Sequence, residues 1–169
     1  MKTNLSNLMS IVADEEKNFS SLTYDLKDYA FNTSTQELSG TITVIENHTE
    51  DFAKTFSDYK KTQERITKIK ATIYQKNNTL KLPDGRTIQE AIVDNSNLRK
   101  MRATYKTLLG NRDSKRRVTE LNNSYFECTT LNYDIKELSK EYEALEQKIH
   151  DTDFEISKLN SIEFEIDLF

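Results

Sequence analysis

Eight basic residues, Arg99, Lys100, Arg102, Lys106, Arg112, Lys115, Arg116 and Arg117, fall within nineteen positions that contain one acid, Asp113. Cations at this density can hold the phosphates of a nucleic acid or an anionic lipid, with Arg99, Arg102, Arg112, Lys115, Arg116 and Arg117 as the candidate contacts. The run also has a plainer explanation. Lysine and arginine near Gly110 complement the negative end of a helix dipole and solvate its last turns. We take that as the main reading and nucleic acid as the alternative.

Nothing else in the chain has the spacing of a reactive site. His48 lies near Glu46 and Glu50, and His150 near Asp151 and Asp153, but neither has the partner His or Cys at i+4 that a zinc site uses. Both read as surface histidines. The single Cys128 has no histidine beside it in sequence to make it a nucleophile. Adjacent acids such as Glu15 and Glu16 read as solubilising charge on a helix face. The chain contains no glycine-rich phosphate loop, nucleophile elbow or Cys-x-x-Cys pair. The expectation is a protein without catalytic residues, bound metal or cofactor.

Composition says what must position these residues. In 169 residues, 36% are hydrophobic and 31% charged, against usual values of about 45–50% and 25%. Such a chain suits thin helices that bury one narrow stripe and solvate the rest. Three glycines, one proline and no tryptophan leave little turn chemistry, so the elements must be few and long. A net charge of −4 gives no overall attraction to nucleic acid or to an anionic membrane. A lone cysteine fits a reducing compartment, and Met1–Leu5 lacks the apolar run of a signal peptide, so the cytoplasm is expected. No stretch approaches the roughly 20 apolar residues of a membrane-spanning helix.

In chain order, Leu5, Leu8, Val12, Phe19, Leu22, Leu26 and Tyr29 form a helical seam, predicting a helix over about 3–31 with Thr3 or Asn4 as its cap. Asn32–Thr35 is a polar break. Leu38, Ile42, Ile45, Thr49, Phe52, Phe56, Tyr59, Gln63, Ile66, Lys70 and Ile73 then alternate by four and three, the pattern of a coiled coil, predicting a helix over 35–76.

Pro83, Asp84 and Gly85 supply the fixed and the positive φ of a tight turn, and Thr87 with Glu90 forms a capping box. With Arg86 these residues define a turn motif, a small β-hairpin-like corner near 79–87. A third helix covers 87–109, with Asn95 in a seam position. Residues 111–130 read as a loop with a short strand or as an irregular helix. Leu131, Ile135, Leu138, Tyr142, Leu145, Ile149, Thr152, Ile156 and Leu159 predict a last helix over 131–159. Ile162, Phe164, Ile166 and Leu168 then alternate with acids as a strand would.

Two stretches carry a family resemblance. Asn77-Asn78-Thr79 followed by Leu82-Pro83-Asp84-Gly85-Arg86-Thr87-Ile88-Gln89-Glu90-Ala91-Ile92 resembles the Asn-x-Thr and Asp-Gly-Arg-Thr-Leu-x-Glu-Ala motif of the septicolysin-like family of bacterial helical proteins. Leu138-Ser139-Lys140-Glu141-Tyr142 with Leu145 and Lys148-Ile149 is similar to that family's closing helix. Asp153-Phe154 stands where members carry Asn-Trp, and Ser114–Val118 fits their Ser-Arg-x-Glu-Ile stretch loosely. The resemblance, over about Ile69 to Leu159, implies long helices and no established enzymatic activity. Its name points to a membrane-active lysin, a second alternative that this chain supports with no apolar insertion segment.

The combined expectation is an all-α protein, a long-helix antiparallel coiled coil or helical bundle in one elongated domain over 1–169. Its function would be that of a non-catalytic, self-associating scaffold or binding protein. Thin helix pairs bury too little surface alone, so the expected partner is a second copy, with an unidentified protein as a further one.

Overall fold

The computed structural model describes residues 1–121 and 123–167. In order they form β1 (Lys2–Thr3), α1 (Leu5–Asp28), β2 (Thr33–Gln36), β3 (Ile42–Glu46), α2 (Thr49–Thr79), α3 (Ile88–Leu109), β4 (Ser114–Glu120), β5 (Asn123–Thr129), α4 (Ile135–Asn160) and β6 (Phe164–Glu165). The strands pair as three two-stranded antiparallel sheets, β1 with β6, β2 with β3 and β4 with β5. The all-α coiled coil is therefore corrected to a mixed helix-and-strand protein. Two compact units divide the chain, Met1–Thr79 with Asn160–Phe169, and Leu80–Leu159.

In the first unit α1 opens at Asn4, whose side-chain oxygen accepts the Asn7 backbone N–H at 2.8 Å. Helices α1 and α2 run antiparallel, with Phe19 stacked on Tyr59 at 4.4 Å and Arg65 reaching Glu15 at 3.4 Å. Leu8, Val12 and Ile69 form the buried cluster, covered by Ile11, Ile73, Phe164 and Ile166. Phe164 arrives there because β6 pairs with β1, Thr3 opposite Phe164 and Lys2 opposite Glu165. The alternating tail thus docks one apolar side chain on the helix seam; Leu168 of that pattern lies outside the described residues.

The helix expected over 35–76 is replaced in its first third by a β-ribbon. Thr33, Thr35, Thr41, Ile42, Thr43, Val44 and Ile45 are all β-branched, which costs χ1 freedom in a helix and suits a pleated strand. Gly40 takes φ +91 in the connecting turn, a backbone state that favours glycine. Leu38, Ile42 and Ile45 share the four-three spacing of the true seam by coincidence. Leu38 is fully exposed, at 111%.

In the second unit α3 and α4 run antiparallel, joined by side-chain bonds from Asn95 to Ile149 and Asp153. Leu82, Ile88, Ala91, Leu145 and Ile149 are its buried apolar residues. Residues 114–129, expected as a loop with a short strand or as irregular helix, form a regular ribbon in which Ser114 faces Thr129 and Glu120 faces Asn123. Val118, Tyr125 and Phe126 within it are good strand formers.

The two fates of apparent seam residues can be compared directly. Leu8→Ala, at a position with no exposure, is expected to destabilise the protein by about 2–5 kcal/mol. Leu38→Ala should leave a urea melt unchanged. A comparable loss at Leu38 would mean that it packs in a seam after all.

Candidate functional site

The corner around Pro83 is a closed local structure. The Gly85 N–H donates to Leu82 O at 2.9 Å and Leu82 N–H to Arg86 O at 2.8 Å, with Lys81 and Thr87 bridged. Gly85 has φ +91, which its missing Cβ permits. Thr87 caps α3: its hydroxyl accepts the Glu90 N–H at 3.2 Å while Glu90 accepts the Thr87 N–H at 2.7 Å. Arg86 bonds Asp84 at 2.6 Å and Asp94 at 2.8 Å, which ties the turn to the second turn of the helix.

These contacts shift the local acids. Hydrogen bonds from the Arg86 side chain and backbone hold Asp84 below the ordinary carboxylate range. Bonds from the Thr87 N–H and hydroxyl lower Glu90 in the same way. A shallow depression of about 270 Å³ adjoins the turn, lined by Leu82, Pro83, Asp84, Arg86, Asp151 and Thr152 among others.

The six candidate cations separate into three groups. Arg99 donates to both oxygens of Asp153 at 2.7 Å, and Arg102 lies 3.9 Å from Glu146, so these two cations join α3 to α4. Arg112 donates to the carbonyls of Leu109 and Asn111 at 2.7 and 2.6 Å, capping the end of α3. Arg116 pairs with Glu127 across the β4–β5 ribbon. Lys115 and Arg117 alternate onto the opposite face of that ribbon, together with Thr119, Ser124, Phe126 and Cys128. That face carries no acid. Lys115 sits 4.3 Å over the Phe126 ring, and Arg117 donates to Ser124 at 3.4 Å.

The β2–β3 ribbon has the opposite character. Residues 31–47 contain Glu37 and Glu46 and no lysine or arginine. Its large apolar side chains, Phe31, Leu38, Ile42, Val44 and Ile45, are all exposed. The ribbon is anchored at its base, where Asn32 accepts the His48 N–H at 2.7 Å and donates to the Thr49 hydroxyl at 3.0 Å. His48 stacks on Tyr29 with ring centres 5.3 Å apart, near Asp51 and Glu46 at 3.7 and 4.0 Å. His150 is exposed on α4. Among the described residues, no three His, Cys, Asp or Glu side chains gather as a metal site would require.

Neither ribbon was legible as a surface in the residue patterns. The cluster of β-branched residues before Glu46, with Gly40 at its centre, is the signal that marks the first. Alternation of Lys115 and Arg117 against Phe126 and Cys128 marks the second, but only once the register across the turn is known.

Asn95 sets the α3–α4 register. It is 1% exposed, its amide donates to Ile149 O at 3.2 Å and Asp153 Oδ1 at 2.9 Å, and Arg99 completes the network. Asn95→Ala should cost about 1–3 kcal/mol by removing both bonds, read as a lower thermal midpoint. Because Asp84 and Glu90 are held low in the folded state, their stabilisation is full above the ordinary carboxylate range, near pH 4. It is lost as pH falls through the lowered folded values. Asp84→Asn with Glu90→Gln should flatten the acid limb of stability against pH; an unchanged slope would count against these contacts.

Similarity to known proteins is confined to the fold and the family. No curated protein matches the chain. A solved structure described as a functionally unknown conserved protein from Corynebacterium diphtheriae matches with a TM-score of 0.59 at 18% identity, over 98% of this chain and 100% of that one. At that identity it speaks for the fold alone. DUF6847, a family of unknown function, matches residues 36–168. That match replaces the septicolysin-like resemblance, whose short corner and closing-helix motifs are what capped turns and amphipathic helices produce locally. The match takes in α2, α3, α4 and the β4–β5 ribbon, and the chain belongs to the family of unknown function DUF6847.

Proposed function

We propose that this protein is a non-catalytic, self-associating scaffold or binding protein that works through its two β-ribbons. One observation carries the reading: the ribbons hold exposed apolar side chains on elements that bury almost nothing, Ile42, Val44 and Ile45 in the first unit and, in the second, Leu121 at 105% and Phe126 at 59% exposure. An isolated two-stranded ribbon is marginal in water, and its unpaired edges and apolar faces are stabilised by covering them. Exposed Phe52 and Phe56, stacked at 5.7 Å on α2, extend the uncovered apolar surface of the first unit. The exposed thiol of Cys128 suits a reducing compartment such as the cytoplasm.

The nucleic-acid reading has less support, because Arg99, Arg102 and Arg116 already neutralise acids of the same unit. The lysin reading came with a family name that no longer applies, and no helix among the described residues is long and apolar enough to cross a membrane.

Sedimentation velocity from micromolar to millimolar concentration tests the proposal. A mass that rises with concentration is expected, reduced when Ile42, Val44 and Ile45, the exposed apolar residues of both faces of β3, are all changed to Thr. A single chain throughout the range would overturn self-association.

A further inference from the structure

Charge is distributed unevenly along the molecule. Between Asp25 and Asp58 the chain has seven acids and two lysines, and the β2–β3 ribbon within that stretch contributes Glu37 and Glu46 with no cation. The β4–β5 ribbon presents Lys115 and Arg117 on a face free of acids, with Phe126 directly across from Arg117 and 59% exposed. Each surface alone is incomplete: one offers Glu37 and Glu46 beside exposed Ile45, on the ribbon face opposite Ile42 and Val44, the other cations beside an exposed ring.

Building on the self-association proposed above, we infer that the contact is head to tail, the acidic β2–β3 ribbon of one copy seating on the cationic face of β4–β5 in a second copy. Charge complementarity selects this pairing. Acidic against acidic, or cationic against cationic, would bring like charges together, whereas the unlike pairing matches Glu37 and Glu46 with Lys115 and Arg117. Ile45 and Phe126 then cover each other and supply the apolar part. Such a contact joins two different surfaces, so each copy keeps one of each for further neighbours. Association continues past two copies unless the rotation closes a ring.

Charge exchange on the full-length chain tests this pairing. The first variant is Glu37→Lys with Glu46→Lys, the second Lys115→Glu with Arg117→Glu. Each alone should sediment as a single chain at concentrations where the wild type associates, and an equal mixture should reassociate, because every contact in the mixture again joins unlike charges. The mixture also shows that neither variant has merely unfolded. Wild type that never associates overturns the parent proposal together with this one. Wild type that associates while both variants associate equally well, or a mixture that stays dissociated, overturns the head-to-tail contact alone. Binding of a labelled single-stranded oligonucleotide that is lost with Lys115→Glu and Arg117→Glu while self-association persists would assign the cationic face to nucleic acid and also overturn it.

Discussion

The constraint on which everything else depends is the scarcity of apolar surface. Each unit has one antiparallel helix pair, and two helices laid side by side can bury only the stripe between them. Ten apolar side chains are buried among the described residues, from Leu5 to Ile149. The β1–β6 pairing answers part of this shortage, since it brings Phe164 and Ile166 onto the seam that Leu8, Val12 and Ile69 form. Without that third layer the proximal end of α1 would face solvent on one side.

Polar residues inside the seams follow from the same scarcity. Thr62, Asn77, Asn95 and Thr152 occupy buried positions that a richer sequence would fill with leucine. Asn95 is the best satisfied on its donor side, through Ile149 and Asp153, although its oxygen has no partner. A buried amide held this way permits one register between α3 and α4, because any slip leaves its N–H groups unpaired. Arg99 and Arg102 then extend the agreement outward to the partly exposed rim, where ion pairs are individually weak.

The ribbons stand apart from this economy. They contribute strand pairing but scarcely any burial, and their exposed side chains include the largest apolar groups outside the helices. In a chain with few apolar residues, placing Ile42, Val44, Ile45 and Phe126 in solvent is costly for a free monomer, which is why they carry the functional proposal.

The amino-acid sequence by itself determined the local structure wherever short-range chemistry decides it: the Pro83–Gly85 turn, the Thr87 and Glu90 cap, and the long periodic runs of α1, α3 and α4. It marked Asn95 as a polar seam position, and the absence of reactive spacing among His48, His150 and Cys128. The tertiary structure alone decided where residues distant along the chain meet. Four-three spacing through Leu38, Ile42 and Ile45 is compatible with a helix, and only pairing with Thr33–Gln36 made it a strand. The six candidate cations looked like one patch in sequence. Strand register and helix pairing divided them, sending Arg99, Arg102 and Arg116 to acids, Arg112 to carbonyls, and Lys115 and Arg117 to one face with Phe126. The physical reason is that periodicity reports only neighbours a few residues apart. Which carboxylate neutralises which cation is set by contacts spanning eleven to fifty-four residues, and nothing local encodes them.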